Sequence, residues 1–399
     1  MDVGLSDVVG ISYARTPIGR FGGGFKFTSA NDLGAAAIRE AIARAGINPE
    51  DVDEVYFGNT RQAGNGPNPP RTAAVRAGVP ADVNVCSLTM ACPSGMKALI
   101  LAAQSIQTGD NELCVIGGQE SMSTIPYILK DIRWEGTKMG DRVLMDGWND
   151  TIDPLCDMGM GQTAENLADI YGLTREEQDE WAVESNRKAW EAKEKGYLTG
   201  EIVPYEVPAR SKREPGYAVE EDENLRGDTT ADKLGKLRPV FREDGTVTAG
   251  NASKMGDAGA ALVVTTRERA KALGATPLFS VVSTASAGVE PTRMGEGPGV
   301  AIPKALDRAG LTLEDMDLIE VNEAFSAQCL VNERQLGWDR SKVNPFGGAV
   351  AIGHPTGMTG GRLVGTLDNA LRTLDKELGV ASLCGGGGVT CAVVIRRES

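Results

Sequence analysis

Residues 37–60, AIREAIARAGINPEDVDEVYFGNT, align without a gap on residues 301–324, AIPKALDRAGLTLEDMDLIEVNEA, and nine of the 24 positions are identical. Two more correspondences follow in the same order. Cys92-Pro93-Ser94-Gly95-Met96 lines up with His354-Pro355-Thr356-Gly357-Met358, and Val115-Ile116-Gly117-Gly118 lines up with Leu383-Cys384-Gly385-Gly386. Three matches in one order constrain the fold more than any single segment does. The chain reads as two copies of one α/β half. If the copies pack about a pseudo-twofold axis, equivalent positions face each other across it. Cys92 and His354 are such a pair. Each stands just before a predicted helix, where free N–H groups and the helix dipole favour negative charge.

The rest of the chain fits that frame. Strands are expected over 7–14, 54–57, 83–88 and 113–116, and helices over 32–45, 71–77 and 96–107, the first of these closed by Gly46. From about 120 to 245 the character changes: tryptophan, proline and charge become frequent, 174–195 reads as a charged helix, and 206–236 as loop. Alternation resumes near 246, with a helix-like run over 256–264, a strand over 278–283 and a helix over 362–374 after a glycine-rich turn. The implied division is 1–119 as one half, completed by 246–275; 120–245 as an inserted loop domain; and 276–399 as the second half. Strand–helix alternation implies sheets covered by helices.

Composition narrows the chemistry. The chain has 399 residues and a net charge of −14, which disfavours nucleic acid and anionic membrane as partners and requires a local basic patch for any anionic ligand. No run of eighteen apolar residues exists, so no membrane span is expected. The acidic start argues against a signal or transit peptide. Seven cysteines form no Cys-x-x-Cys pair, and with one histidine no zinc site is expected; the odd count reads as reduced cytosolic thiols. His354 is the only histidine, hence the only imidazole base. A cysteine at a helix N-terminus beside it is expected to have a lowered pKa.

The same residues carry a family resemblance. Arg15-Thr16-Pro17-Ile18-Gly19, Cys92-Pro93-Ser94-Gly95, Gly117-Gly118-Gln119-Glu120-Ser121, Thr163-Ala164-Glu165-Asn166, Thr248-Ala249-Gly250-Asn251-Ala252-Ser253, Asn322-Glu323-Ala324-Phe325, Gly353-His354-Pro355 and Cys384-Gly385-Gly386 occur in order and span nearly the whole chain. With them the chain resembles the thiolases, CoA-dependent enzymes that make or cleave 3-oxoacyl-CoA thioesters. The resemblance implies a five-layered αβαβα fold of two similar halves plus a loop domain. It implies that Cys92 takes the acyl group, that His354 activates it, and that Cys384 moves the α-proton. It also implies that Asn322, through a water, and His354 form one oxyanion hole, and that the N–H groups of Cys92 and Gly386 form the other. For CoA it implies Arg226 at the adenosine phosphates, Ser253 on the pantetheine arm, and Met160, Phe241, Ala249, Ala324 and Phe325 along a tunnel. CoA is then a co-substrate with no permanently bound cofactor, and the expected protein is a cytoplasmic homotetramer or homodimer, with an accessory subunit as an open alternative.

The chain departs from the family's usual pattern at several places. Gly159-Met160-Gly161 stands where His-Met-Gly is common, Thr89 replaces an asparagine, Pro93 follows the nucleophile where a small residue is usual, and Lys254 and Gly256 replace a glycine and an asparagine. These leave open a larger, branched or aromatic acyl group. A decarboxylating synthase of the Cys-His-His type is excluded by the single histidine. A catalytically silent acyl-CoA-binding subunit is the remaining alternative.

Overall fold

The computed structural model describes residues 4–134, 136, 138–148 and 152–398. The first half runs β1 (Val8–Arg15), β2 (Gly19–Arg20), α1 (Ala30–Ala45), β3 (Glu54–Gly58), α2 (Pro69–Ala77), β4 (Asn84–Leu88), α3 (Ser94–Thr108) and β5 (Leu113–Ser121). Then come α4 (Met160–Tyr171), α5 (Arg175–Glu194), a small hairpin of β6 (Tyr205–Val207) and β7 (Tyr217–Val219), and α6 (Ala231–Leu234). The chain returns through β8 (Gly256–Thr266) and α7 (Arg267–Leu273). It continues with β9 (Phe279–Gly288), α8 (Gly297–Ala309), β10 (Leu318–Val321), α9 (Ser326–Leu336), α10 (Ala349–Ile352), α11 (Thr356–Thr373), β11 (Leu378–Gly385) and β12 (Val389–Arg397).

The strand order β10-β11-β12-β9-β1-β8-β5-β3-β4 reads as two copies back to back. β3–β5 and β10–β11 are parallel, β5–β8 and β11–β12 antiparallel, and β8–β1 and β12–β9 antiparallel. A single parallel bridge between Ile319 and Val343 stands beside β10 where β4 stands beside β3. The halves join at β1–β9, paired only at Val9–Ser280 and Gly10–Phe279, so the pseudo-twofold axis passes there. The 24-residue repeat lies in register: both copies run from within a helix (α1, α8) into its following strand (β3, β10). Gly46 and Gly310, equivalent in the repeat, both end their helices with left-handed φ of 67° and 66°, the conformation that favours glycine.

Three apolar cores separate the layers. α1 and α2 cover the first half's strands on one side, and α8 and α9 cover the second half's on the other. Between the two sets of strands lies a central core built on α3 (Met96, Leu99, Ile106) and α11 (Leu363, Val364, Leu371). Each such buried aliphatic side chain contributes about 1.5–3 kcal/mol. The result is the expected αβαβα order.

Two sequence expectations are corrected. Residues 256–264 are not helical but belong to β8, held between β1 and β5. Their alanines and glycines suit a helix locally. Here they make a strand buried on both faces, with α1 resting on it, so tertiary contact overrides propensity. The helix after His354 starts at Thr356, six residues before the expected 362. Its glycines are inside the helix, where they serve close packing rather than a turn.

Candidate active site

The site begins with a tight reversal between β4 and α3. Ala91 adopts φ 49°, a left-handed conformation that costs a non-glycine residue about 1–2 kcal/mol. Ser94 holds it there: its hydroxyl accepts from the Met90 N–H at 2.8 Å and donates to the Ala91 carbonyl at 2.6 Å. Cys92 sits inside this reversal, two residues before α3. The backbone N–H groups of Gly386 and of Cys92 itself lie near enough to its sulfur to favour the thiolate. The residue as a whole is half-buried. Burial nevertheless pushes the thiol up to about 11, against the two N–H groups and Arg61, which pull it down. The expectation of a lowered pKa is therefore corrected. Desolvation of the thiolate outweighs the favourable dipoles around it.

His354 also sits two residues before its helix. Its N–H donates to the Lys254 carbonyl at 2.8 Å. Ring atom Nδ1 lies 2.8 Å from the Thr359 hydroxyl, and that hydroxyl donates to the Pro355 carbonyl at 2.9 Å. Having donated its only proton, Thr359 accepts from Nδ1–H. On the other side, Nε2 faces the Asn322 side-chain amide nitrogen at 3.4 Å, which requires Nε2 to be the acceptor. Both contacts select the tautomer with its lone pair on Nε2. Burial, and then the charge of Arg362, push His354 down to about 3, so the ring is neutral. Arg362 is itself buried and paired with Glu320 at 2.6 Å.

The first turns of α3 and α11 bring these two positions to one place. A Cβ on Gly95 would stand 2.9 Å from the Gly361 nitrogen and 3.0 Å from the Gly357 oxygen, so only glycine permits this backbone approach. The first turns of the two helices are consequently packed against each other. Cys384, near the end of β11, is fully buried, and its thiol is pushed up by burial and then by the neighbouring Cys92. Asn322 follows β10, where its N–H donates to the Ser382 carbonyl at 3.0 Å.

Two positioning residues escaped sequence reasoning. One is Thr359. The other is Glu120, a buried carboxylate that accepts from Asn59 Nδ2 (2.8 Å) and the N–H groups of Thr60 and Arg61 (3.0 Å each) in the first half, and from Thr356 Oγ1 and the Gly357 N–H (2.8 Å each) in the second. Its signal was present as a carboxylate inside the otherwise uncharged run of 113–121.

The residues expected along the CoA tunnel fall into one connected group with a separate rim. Met160, Ala324, Phe325 and Cys384 share an apolar cluster with Ala164 and Val247. Phe241 meets Phe325 edge to face, with centroids 6.0 Å apart. The Ser253 N–H donates to the Ala324 carbonyl at 3.0 Å. Ala249 is exposed, and its carbonyl accepts from Lys254 Nζ at 2.6 Å. Arg226 is exposed too, near enough for Lys254 to feel its charge. Among the described residues no group of His, Cys, Asp and Glu could hold a metal, and no helix is long and apolar enough to cross a membrane.

A neutral imidazole, two thiols and converging N–H groups, on a duplicated five-layer fold, define a class of acyl-transfer enzyme. Residues 8–268 match the family model "Thiolase, N-terminal domain" and residues 275–397 match "Thiolase, C-terminal domain", so the chain belongs to the thiolase family. It is 47% identical over 398 residues to an acetyl-CoA acetyltransferase of Cupriavidus necator, covering 99% of this chain and all of that one. It is similarly 47% identical over 398 residues to an acetyl-CoA acetyltransferase of Escherichia coli, with 98% and 100% covered. Among solved structures, the acetyl-CoA acetyltransferase of Bacillus anthracis superposes with a TM-score of 0.96 at 43% identity over the whole of both chains. Human mitochondrial 3-ketoacyl-CoA thiolase in complex with CoA does so at 0.94 and 38%, covering 99% of each.

Proposed function

We propose that this thiolase-family acyltransferase cleaves 3-oxoacyl-CoA with CoA, or runs the reverse condensation of acetyl-CoA with acyl-CoA, through an acyl-Cys92 intermediate. The observation that carries the reading is the neutral imidazole with its lone pair on Nε2, together with the two N–H groups beside the Cys92 sulfur. In cleavage, Cys92 Sγ attacks the 3-oxo carbon and its proton passes to His354 Nε2. The oxyanion sits on the N–H groups of Cys92 and Gly386, each worth roughly 3–4 kcal/mol in such a role. The C2–C3 bond then breaks, leaving acyl-Cys92 and the enolate of acetyl-CoA, whose oxygen is held by His354 and by Asn322 through a water. Cys384 protonates the enolate carbon. CoA enters, its thiol proton is taken by a basic group of the site, and its sulfur displaces the acyl group from Cys92.

Two neutral groups suit this sequence. A raised thiol pKa makes the sulfur a stronger nucleophile once deprotonated, and the proton moves only as the substrate arrives. CoA is a dissociable co-substrate in this reading, bound by Arg226, Ser253 and the lining of Met160, Phe241, Ala249, Ala324 and Phe325. The reading includes a cytoplasmic homotetramer or homodimer, and a division into halves 1–119 (with 246–275) and 276–399 around a loop domain 120–245. Acetoacetyl-CoA is the first substrate to try, given the names of the bacterial relatives; the departures at Gly159 and Thr89 make branched and aromatic 3-oxoacyl-CoAs the next. Mass spectrometry after brief mixing with acetoacetyl-CoA should find an acyl adduct on Cys92. Cys384→Ala should still take an acetyl group from acetyl-CoA onto Cys92 but lose condensation. No adduct with any acyl-CoA of the panel would overturn the reading.

A further inference from the structure

Lys254 stands where the family commonly has glycine, and no step above uses it. Its backbone is locked beside the base: the Lys254 carbonyl accepts from the His354 N–H at 2.8 Å, and the Lys254 N–H reaches the Ala349 carbonyl at 3.4 Å. From that point the side chain turns back along its own loop. Nζ donates to the Ala249 carbonyl at 2.6 Å and to that of Ala252 at 3.3 Å. The ammonium is thus held in one position at the rim, among residues of the CoA group, at a place where Ala249 is open to solvent.

No anion balances it. Among the described residues no carboxylate lies within salt-bridge reach of Lys254, and none within reach of Arg226, although most other arginines of this acidic chain are paired. Burial, and then the charge of Arg226, push Lys254 down to about 8. Glu323 acts in the opposite sense from a distance, but its carboxylate is already taken by Trp181, Ser185, Asn344 and the Val350 N–H. A fixed ammonium with no carboxylate in salt-bridge reach, and a second cation whose charge it feels, form a site for a ligand carrying negative charge.

We propose that Lys254 and Arg226 together form an anion subsite that takes a charged oxygen group of the thioester ligand, the phosphates of CoA in the first instance. Lys254 would then be a binding residue that puts a fixed cation where the family commonly has glycine. The inference rests on reading the cavity as a CoA thioester site. The same chemistry could come from a carboxylate at the far end of the acyl chain, so the test separates the two sources.

The test compares the intact enzyme with Lys254→Met and Lys254→Arg. Thiolysis is measured with CoA, with pantetheine (which lacks the phosphates), and with 3-oxoacyl thioesters that differ only in a terminal carboxylate. If CoA phosphate is the anion, Lys254→Met raises KM for CoA about tenfold with kcat nearly unchanged, Lys254→Arg restores most of it, and the penalty disappears with pantetheine. A penalty confined to carboxylated acyl chains supports the subsite and assigns the acyl carboxylate as its ligand. An equal penalty with every substrate, or none with any, overturns the proposal. If the unaltered protein turns over no thioester, the functional reading fails by itself. Calorimetric titration of CoA into the intact protein and Lys254→Met then decides the subsite: an unchanged affinity overturns it.

Discussion

His354 is held in one tautomer by two neighbours and kept neutral by burial. Thr359 fixes the proton on Nδ1, Asn322 faces the free Nε2, and burial keeps the ring neutral down to about 3. The sign of the pH effect follows. Lowering the pH through 6.5, where an exposed imidazole would lose half its base form, leaves His354 unprotonated. The rate of Cys92 acylation in single-turnover quench experiments should therefore show no inflection near 6.5. An inflection there would mean the ring is solvated. Thr359→Val should slow acylation by about ten- to a hundredfold, with Thr359→Ser close to the parent. Because the chain holds one histidine, 15N-labelled histidine reports the tautomer in a single pair of resonances, and loss of the Nδ1–H form in the valine variant checks the cause directly. The same shift makes the fold less stable as pH falls below 6.5, since the unfolded imidazole takes up a proton that the folded one refuses.

At the scale of elements, the site depends on how closely α3 and α11 approach. A Cβ on Gly360 would fall inside contact distance of the Met96 nitrogen, which cannot move without moving α3. In an isolated helix, Gly→Ala stabilises by about 1 kcal/mol. Here Gly360→Ala should destabilise by about 1–3 kcal/mol, seen as a lower Tm, because backbone overlap outweighs the gain in propensity. A Tm at or above the parent's would show that the helices are free to separate. The glycine run around His354 was legible in the sequence as a place of close approach. That it lay within a helix was not, since the compensating partner, α3, lies some 260 residues away. Residues 256–264 were misread for the same reason. Alanine favours helix locally, and only α1 and the flanking strands β1 and β5 make that segment a strand.

At the scale of the whole molecule, the two halves share the central apolar core, and Glu120 adds a buried polar tie between them. Its carboxylate takes donors from 59–61 on one side and from the start of α11 on the other. An amide at this position would turn one acceptor oxygen into a donor facing N–H groups. Glu120→Gln should cost about 3 kcal/mol of stability. It should also lower kcat, because Thr356 and Gly357 set where α11 begins and so where His354 stands. Thermal unfolding and thiolysis rates on one preparation check both effects; loss of stability alone would confine Glu120 to a structural role.

What the sequence determined by itself was the duplication, the glycine cap that closes α1, and the family whose pattern runs through Cys92 and His354. These are local patterns or repeated ones, and a linear chain records both. The tertiary structure decided the remainder: that Cys92 is raised rather than lowered, that the imidazole is neutral with its lone pair on Nε2, that Thr359 and Lys254 bond to His354, and that Glu120 bonds to the start of the helix after it. The physical reason is common to all of these. Desolvation, tautomer choice and charge pairing are set by what is packed against a group, and here the packing partners come from the other copy of the repeat or from the segment between the two.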